Sequence, residues 1–287
     1  MMDGADVTGA AIATTIQANA PLRWRPAPLV RLSIMFHGLL FLAFLVFPAH
    51  WCGFLLALLG NHLVLGGLGL WPTSRLVGPN ILRLPATAAA RCEIGLTFDD
   101  GPDVQVTPRL LELLDRYGAK ASFFLAAKQA ALHPALVQDI VRRGHSIENH
   151  SYNHSNAFAW YGLGRLHREV ASSQALIATL SGRLPAFFRA PMGLRSPLLD
   201  PVLARLGLRH VAWTRRGFDT VKRDPDEVLR RLINGLAAGD VLLLHDGNAA
   251  RTRDGEAVVL AVLPRLLDAV AAMGLKSVSL PMAFQDK

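Results

Sequence analysis

Apolar residues fill two long stretches near the start of the chain, and mixed patterns of apolar and polar residues begin only after them. Residues 32–47 carry no charge, and residues 51–70 form a second stretch that two polar residues and several glycines interrupt. A helix needs about 17 to 25 residues to cross a bilayer, so the first stretch is near the short limit and the second is comfortably long. Because only residues 48–50 separate them, the pattern predicts a transmembrane helical hairpin over residues 32–71, with both flanks on one side of the membrane.

Arginines flank this hairpin, and none lies in its turn. Basic residues beside a membrane span tend to stay in the cytoplasm, so Arg23, Arg25, Arg31, Arg75 and Arg83 predict that the rest of the chain lies on the cytoplasmic side of the inner membrane. A second interpretation stays open. In it the first stretch is a signal anchor and the second lies in the interface, which places the rest in the periplasm. A cleaved signal peptide is disfavoured, because the apolar stretch starts late and no small-x-small site follows it.

Beyond the hairpin, short β-branched or aromatic runs alternate with longer stretches of helical period. These runs predict strands at residues 93–98, 121–125, 145–148, 186–189, 209–213, 240–244 and 276–279. The longer stretches predict helices at residues 107–117, 134–143, 164–180, 196–206, 225–237 and 256–273. The alternation indicates an α/β fold built on a parallel barrel or sheet. The predicted organisation is therefore an N-terminal tail (1–31), the hairpin (32–71), a linker (72–91) and a globular domain (92–287).

The composition and net charge limit the classes of partner that this chain is expected to bind. Hydrophobic residues make up 51% of the chain, which is high for a soluble protein and agrees with a part that sits in lipid. The formal net charge is +8, but the basic residues are dispersed and form no aromatic-basic module, so nucleic acid is not an expected partner. Anionic lipid or a phosphate-bearing substrate fits this charge better. Two cysteines are too few and too far apart to indicate a disulfide framework.

Polar clusters stand directly after several of the predicted strands. Asp99 and Asp100 follow the first strand, His150 the third, Arg189 the fourth and His245 the sixth. Functional groups in parallel α/β folds gather beyond the carboxyl ends of the strands. Residues scattered along the sequence are therefore expected to converge on one rim, as in an active site.

The first two clusters have the chemistry of a metal site. Asp99 and Asp100 precede a Gly-Pro turn, where one carboxylate can bind a metal while the other meets the attacking water; solvated acids at a turn are the alternative. His150 and His154 are four residues apart and would share one face if their segment were helical. With a carboxylate from elsewhere they would complete an Asp-His-His site that leaves positions open for water and substrate. Alone, such a pair is more often two surface histidines.

The other two clusters have two interpretations each. The guanidinium of Arg189 can orient a carboxylate or bind an anionic substrate group, or it can form a structural ion pair. His245 follows an apolar strand and is able to protonate a leaving amine, whereas a lone histidine in such a place is more often part of the core.

These segments, in this order, resemble the polysaccharide deacetylases of carbohydrate esterase family 4, the NodB-homology domain, over about residues 93–280. The resemblance implies a distorted (β/α)7-type barrel and a divalent metal cofactor, expected to be zinc, bound by Asp100, His150 and His154. It also implies that Asp99 is the catalytic base and His245 the general acid, with Arg189 and Asp219 as further catalytic residues. The substrate-binding residues that follow from it are Pro191, Met192, Trp213, Arg216 and Leu243.

The chain departs from the family pattern at two motifs. Met192 stands where an aromatic residue is usual, which alters the wall on which a sugar would stack. In the Trp213–Thr220 segment, Arg216 replaces an aspartate and Thr220 a tryptophan, although Asp219 keeps the acidic position beside His245. Arg215 and Arg216 would suit a phosphate, or they are solvated loop arginines. The expected chemistry survives these changes, but the substrate assignment does not.

Three functions remain to be separated. The first is metal-dependent removal of an N-acyl group, expected to be N-acetyl, from an amino sugar carried on a membrane lipid. The second is the same chemistry in the periplasm, on peptidoglycan or an exported polysaccharide. The third is a catalytically silent, membrane-anchored carbohydrate-binding protein. Serine hydrolysis is disfavoured, because the sequence has no Gly-x-Ser-x-Gly elbow.

Overall fold

A parallel sheet with helices packed against it forms the centre of the molecule. The computed structural model describes residues 19–285, and within them the strands are β1 (Glu93–Asp99), β2 (Ser122–Leu125), β3 (Ser146–Asn149), β4 (Phe187–Phe188), β5 (Arg209–His210), β6 (Arg215–Arg216), β7 (Val241–His245) and β8 (Lys276–Val278). The strand order is β5-β4-β3-β2-β1-β7-β6, and β8 pairs with the start of β1. Each of these pairings is parallel. The sheet curls into a half-barrel whose two end strands, in the described part of the chain, are β5 and β6.

The helices alternate with these strands along the chain. They are α1 (Pro28–Val46), α2 (Trp51–Gly69), α3 (Ala86–Ala90), α4 (Thr107–Arg116), α5 (Ala127–Leu132), α6 (Pro134–Arg142), α7 (Leu163–Ser181), α8 (Leu199–Arg205), α9 (Pro225–Ile233), α10 (Val258–Ala272) and α11 (Leu280–Ala283). In the larger helices that follow β1, apolar residues on one side pack on the sheet. In α4, for example, Leu110, Leu111 and Leu114 are fully buried, while the polar side faces solvent. The predicted α/β architecture is confirmed.

β1 and β7 are neighbouring interior strands of the sheet, and both are buried on both faces. Every residue of β7 is buried, and β1 is buried from its second residue onward. Phe98 of β1 and Phe123 of β2 stack with ring centroids 5.1 Å apart, which ties the two strands together inside the main core. This apolar centre holds the carboxyl ends of β1 and β7 rigidly side by side, with Asp99 opposite His245 in the register.

The two N-terminal helices form an antiparallel pair. A 3₁₀ turn (Pro48–His50) joins α1 to α2. The Asn61 side chain donates a hydrogen bond to Ser33 Oγ at 2.8 Å, and Phe44 meets Phe54 edge to face at 6.1 Å. Both helices are long and apolar enough to cross a membrane, and most of their side chains are exposed. Their length, composition and exposure together agree with the predicted hydrophobic hairpin.

Both ends of the hairpin contact the globular part. The segment before α1 donates from the Leu22 N–H to Ala204 O at 2.7 Å and from Trp24 Nε1 to Asp200 at 3.0 Å. At the other end, the Arg195 N–H donates to Gly69 O at 3.1 Å. The two helices therefore start and finish on the same side, beside the sheet.

Some predicted boundaries differ from the structure. Residues 72–91, expected as a linker, contain α3 and contribute buried Leu84 and Ala88 to the core. The strands expected at 186–189 and 209–213 are only two residues long, because the chain leaves the sheet there to form loops. β6 and α5 were not predicted, since two arginines and a single short helical segment carry no usable periodicity. Residues 1–18 of the predicted tail and the last two residues of the predicted domain lie outside the described residues.

We predict that His145, at the start of β3, makes the protein acid-sensitive. Its ring is buried against Phe123, and its Nδ1 accepts from the Ala121 N–H. Burial, aided by Lys120, lowers the pKa of His145 from 6.5 to about 4. Between these values the unfolded chain takes up a proton that the folded chain does not, so stability falls as pH falls through this window. His145→Gln should therefore shrink the stability loss between pH 7 and pH 5 by about 2 kcal/mol.

Urea unfolding of the full chain in detergent at both pH values measures this difference. His133→Gln, at a partly exposed histidine between α5 and α6, is the control. Equal pH dependence in the wild type and His145→Gln would contradict the assignment.

Candidate active site

A polar cavity opens at the carboxyl ends of the central strands. Its volume is about 330 Å³. The residues that line it come from the strands β1, β6 and β7 and from the loops after β1, β3, β4, β5, β6 and β7. They are Asp99, Asp100, His150, His154, Met192, Gly193, Trp213, Arg216, Thr220, Val221, Leu243, His245 and Asn248. The scattered polar clusters therefore converge on one rim of the sheet, as the sequence predicts.

Three of the lining side chains are arranged as a ligand set. One potential ligand atom each from Asp100, His150 and His154 lies within 4.8 Å of the others. Asp100 Oδ1 is 3.3 Å from His150 Nε2 and 3.0 Å from His154 Nε2. His150 Nδ1 donates to Arg189 O at 2.8 Å, so Nε2, which faces Asp100, is the nitrogen that could bind a metal.

The backbone around these residues is not helical, so the condition under which His150 and His154 would share a helix face is not met. Residues 150–154 form a loop in which Ser151 and His154 adopt positive φ angles of 66° and 50°. Side chains hold this loop: Asn149 Oδ1 accepts from the Ser151 N–H at 2.9 Å, and Ser151 Oγ accepts from the His154 N–H at 3.1 Å. These local hydrogen bonds replace a helical ladder and still bring the two rings to 4.8 Å, centroid to centroid.

The donor set fits a divalent cation. Burial opposes ionisation of Asp100, but hydrogen bonds from His150 and His154 outweigh it and lower the pKa of the carboxyl well below its usual range. An ionised carboxylate and two imidazole nitrogens suit zinc, and they also suit other divalent transition metals. One side of the group faces the cavity, where water and substrate have access.

Asp99 forms a buried ion pair with Arg189. Arg189 donates to Asp99 Oδ1 at 2.6 Å and to Thr97 Oγ1 at 2.9 Å, and it also donates to Ala212 O at 3.0 Å. Only 1% of the Arg189 side chain is exposed. This burial excludes binding of an anionic substrate group by Arg189, because a group so buried is not accessible to a substrate, whereas the contacts agree both with a carboxylate-orienting role and with a structural ion pair.

His245 and Asp219 form a second buried pair beside the cavity. Asp219 accepts from the His245 N–H at 2.7 Å and lies 2.9 Å from His245 Nδ1. Burial lowers the pKa of His245, but the Asp219 carboxylate outweighs it and raises the pKa above its ordinary value. The pair thus fixes the ring, and Nε2 is the nitrogen left free to carry a proton.

The predicted substrate-binding residues divide into two groups. Met192, Trp213, Arg216 and Leu243 line the cavity. Pro191 is buried at the start of a 3₁₀ turn and is not among the lining residues. Met192, at the usual place of an aromatic residue, has a φ of 57° and is half exposed, so its flexible side chain forms part of the cavity mouth.

Several residues of the site region were not predicted to contribute to it, and Thr220 was named only as the replacement of a tryptophan. Asn248 donates to Asp100 Oδ2 at 3.2 Å, and Thr220 and Val221 line the cavity. Thr97 lies two residues before Asp99 on the same face of β1, and this period of two was the available signal. Asn248 had no such signal, because it reaches the site only through the turn after β7.

Comparison with known proteins agrees with this geometry. Residues 88–211 match the family model described as polysaccharide deacetylase. A chitooligosaccharide deacetylase of Azorhizobium caulinodans is 32% identical over 195 residues, which cover 66% of this chain and 92% of that protein. The chain belongs to the polysaccharide deacetylase family. A peptidoglycan-N-acetylglucosamine deacetylase of Bacillus cereus is 28% identical over 198 residues, covering 68% of this chain and 69% of the relative.

Solved structures of this family share the half-barrel. A family 4 carbohydrate esterase from Streptomyces lividans, in complex with acetate, is 34% identical with a TM-score of 0.59, covering 64% of this chain and 91% of that one. A family 4 pseudoenzyme from Bacillus anthracis has a TM-score of 0.64 at 20% identity, covering 72% of this chain and 69% of that one, and supports the fold alone. The family resemblance, the distorted-barrel fold and the assignment as a deacetylase of the hydrolase class are thus confirmed.

We predict that Arg189→Met destabilises the fold by about 3 to 5 kcal/mol, because it leaves the Asp99 carboxylate buried without a partner. Adding Asp99→Asn in the same chain should recover part of this loss, since the uncompensated charge is then gone. Urea unfolding of the detergent-solubilised variants at pH 7 measures both.

The control is Arg142→Met, which removes an arginine that is 72% exposed and paired with Asp139. Its loss should cost about 0 to 1 kcal/mol. Equal effects of the Arg189 and Arg142 substitutions would contradict a buried, charge-dependent pair.

Proposed function

We propose that the protein hydrolyses the N-acyl group, specifically N-acetyl, of an amino sugar, with a divalent metal held by Asp100, His150 and His154. The observation that carries this proposal is that one cavity contains this ligand set, the Arg189-bound carboxylate of Asp99 and the Asp219-bound imidazole of His245. The named activities of the relatives, which deacetylate chitooligosaccharide or the N-acetylglucosamine of peptidoglycan, support the same bond as the target.

Each residue has a separate part in the reaction. When bound, the divalent ion polarises the amide carbonyl and makes water more acidic. Asp99 accepts a proton from the attacking water, and its position is set by Arg189. The oxygen of that water adds to the carbonyl carbon. His245 gives its proton to the amide nitrogen as the carbon–nitrogen bond breaks, which releases acetate and a free amine.

Asp219 supports the acid role of His245. Its carboxylate lies on Nδ1, which keeps the imidazole oriented and stabilises the protonated ring that the reaction needs before the bond breaks. Asp99 and His245 thus have opposite roles, proton acceptor and proton donor, at paired positions of the β1–β7 register. Amide hydrolysis requires one group that accepts a proton from water and another that protonates the leaving nitrogen.

We further propose that the amino sugar is carried on a membrane lipid. A second, mainly apolar groove of about 320 Å³ lies between α2 and the globular part. Its walls are His62, Leu65, Gly66, Leu70, Ala159, Trp160, Arg195, Ser196, Pro197 and Leu198. One wall belongs to a helix suited to cross the membrane, so the occupant that fits is the hydrocarbon chain of the substrate.

Two loops connect this groove to the catalytic cavity. The loop after β3 has His154 in the cavity and Trp160 in the groove. The loop after β4 has Met192 in the cavity and Leu198 in the groove. A molecule with a sugar head and an apolar tail can therefore place both ends along the same two loops.

The test measures metal content and acetate release by the full chain purified in detergent, with a lipid-linked N-acetyl amino sugar and a chitooligosaccharide as substrates. We expect about one divalent ion per chain and faster release from the lipid-linked substrate. His150→Ala/His154→Ala should lose both metal and activity. Asp99→Asn should keep the metal and lose at least about 100-fold in kcat, since only the base is removed.

Filling the groove tests the lipid part separately. A Cβ at Gly66 meets no atom within 4 Å, so Gly66→Phe should occupy the groove without disturbing the fold and lower the preference for the lipid-linked substrate. Gly60→Phe is the matched control, because Gly60 is on the same helix with equal free space but outside the groove. Release from the oligosaccharide alone would point to a polymeric substrate, and a metal-free, inactive wild type would refute the deacetylase mechanism.

We propose a cytoplasmic location for the active site. The arginines before α1 and after α2 support it, because both flanks lie on the side of the globular part. A reporter that is active only in the periplasm, fused after Lys287, should then be inactive, while the same reporter placed in the turn at residues 48–50 should be active. The reverse pattern would place the enzyme in the periplasm.

A further inference from the structure

Arg216, at the end of β6, projects into the catalytic cavity between two aromatic side chains. Its guanidinium carbon lies 5.2 Å from the centre of the Trp213 ring and 4.8 Å from that of Phe218. Stacking of this kind restrains a guanidinium while leaving its edge free for hydrogen bonds. The same side chain lines the cavity together with the proposed metal ligands.

Arg216 has no counter-ion among the described residues. Its Nε atom is buried and without a hydrogen-bond partner, and no ion pair includes its side chain. The nearby acids are already matched: Asp99 to Arg189, Asp219 to His245, and Asp100 to the two histidine ligands. Within residues 19–285, therefore, no acidic side chain pairs with this cation of the cavity.

An unpaired, partly buried guanidinium is costly in the free protein. Binding an anionic ligand group is favourable for such a guanidinium, because a charge-assisted hydrogen bond then replaces an unsatisfied donor.

Arg215, the adjacent residue, is different. It pairs with Asp240 at 3.2 Å and donates to the carbonyl oxygens of Asn234 and Gly235. Its guanidinium is thus used in holding the turn after α9. Of the two arginines that the sequence offered for a phosphate, only Arg216 faces the cavity with free donors.

Contacts of Trp213 connect Arg216 to the end of the hairpin. Trp213, on which it stacks, packs against the loop after β4, where a Cβ on Gly193 would lie 2.6 Å from Trp213 and 2.9 Å from Pro72. Pro72 comes three residues after the end of α2. An anion at Arg216 therefore lies beside the surface that joins the sugar cavity to the membrane helix, where the group linking a sugar to a hydrocarbon chain would pass.

From these contacts we infer that Arg216 forms an anion subsite for a phosphate ester on the amino-sugar substrate. This inference rests on the proposed function and names the substrate class more closely. The phosphate belongs either to a lipid-linked sugar or to a soluble sugar phosphate, and a planar, two-donor edge is suited to both.

The test compares kcat/KM for amine release from four probes: N-acetylglucosamine 1-phosphate, its decyl phosphodiester, decyl N-acetylglucosaminide and N-acetylglucosamine. The wild type should prefer each phosphate probe over its neutral counterpart. Arg216→Met should reduce that preference by about 10- to 100-fold, because one charge-assisted pair is lost. Arg216→Lys should keep part of it, since the charge remains without the fork.

Arg231→Met is the matched control. Arg231 stacks on the same Phe218 ring at 5.3 Å, but it is exposed and paired with Glu227 outside the cavity. Its loss should leave the preference for phosphate unchanged. A preference for the decyl phosphodiester over the free sugar phosphate assigns the phosphate to a lipid, and the opposite order assigns it to a soluble substrate.

Calorimetric binding separates this inference from the proposed function. N-acetylglucosamine 1-phosphate should bind the wild type and Arg231→Met more tightly than it binds Arg216→Met, whether or not it is hydrolysed. Equal activity and equal binding of phosphate and neutral probes by the wild type would overturn the inference while leaving deacetylation intact. Arg216-dependent phosphate binding without release from any probe would overturn deacetylation while leaving the anion subsite.

Discussion

The buried contact between Arg189 and Asp99 is the interaction on which the rest of the site depends. The Arg189 side chain donates hydrogen bonds both to Asp99 at the end of β1 and to the backbone carbonyl oxygen of residue 212 after β5. The backbone carbonyl oxygen of Arg189 accepts a hydrogen bond from His150 Nδ1. One residue directly after a two-residue strand therefore contacts a carboxylate, a proposed metal ligand and the backbone after β5. In a low-dielectric interior this ion pair is favourable only because every one of these partners is in place.

A second constraint comes from the close approach of the loops after β1 and β7. A Cβ on Gly101 would lie 2.0 Å from Asp246, and one on Gly247 would lie 2.4 Å from Asp100 O. Asp246 is buried, and its burial raises its pKa to about 7. Glycine at these two positions lets the turns pack directly on each other, which brings the Asp99–Asp100 segment and His245 into one cavity.

The open edge of the sheet and the hairpin together determine where the catalytic cavity and the apolar groove lie. A closed barrel would surround its rim evenly, whereas this half-barrel leaves the loops after β3 and β4 free to contact α2. The catalytic cavity and the apolar groove are adjacent for this reason. Arg216 lines the same catalytic cavity, so the proposed substrate would place its sugar in the cavity, its phosphate at Arg216 and its hydrocarbon chain in the groove.

The sequence by itself determined the hydrophobic hairpin, the α/β alternation and the identity of the acidic and histidine clusters, because each depends on periodicity or on the chemistry of neighbouring residues. Only the tertiary structure decided that His150 and His154 meet through a loop with two left-handed residues, and that residues 72–91 belong to the core. It also separated Arg215 from Arg216 and brought Asn248 to Asp100. These outcomes depend on contacts between residues far apart in the chain, such as Arg215 with Asp240, and no local pattern encodes the partner of a long-range contact.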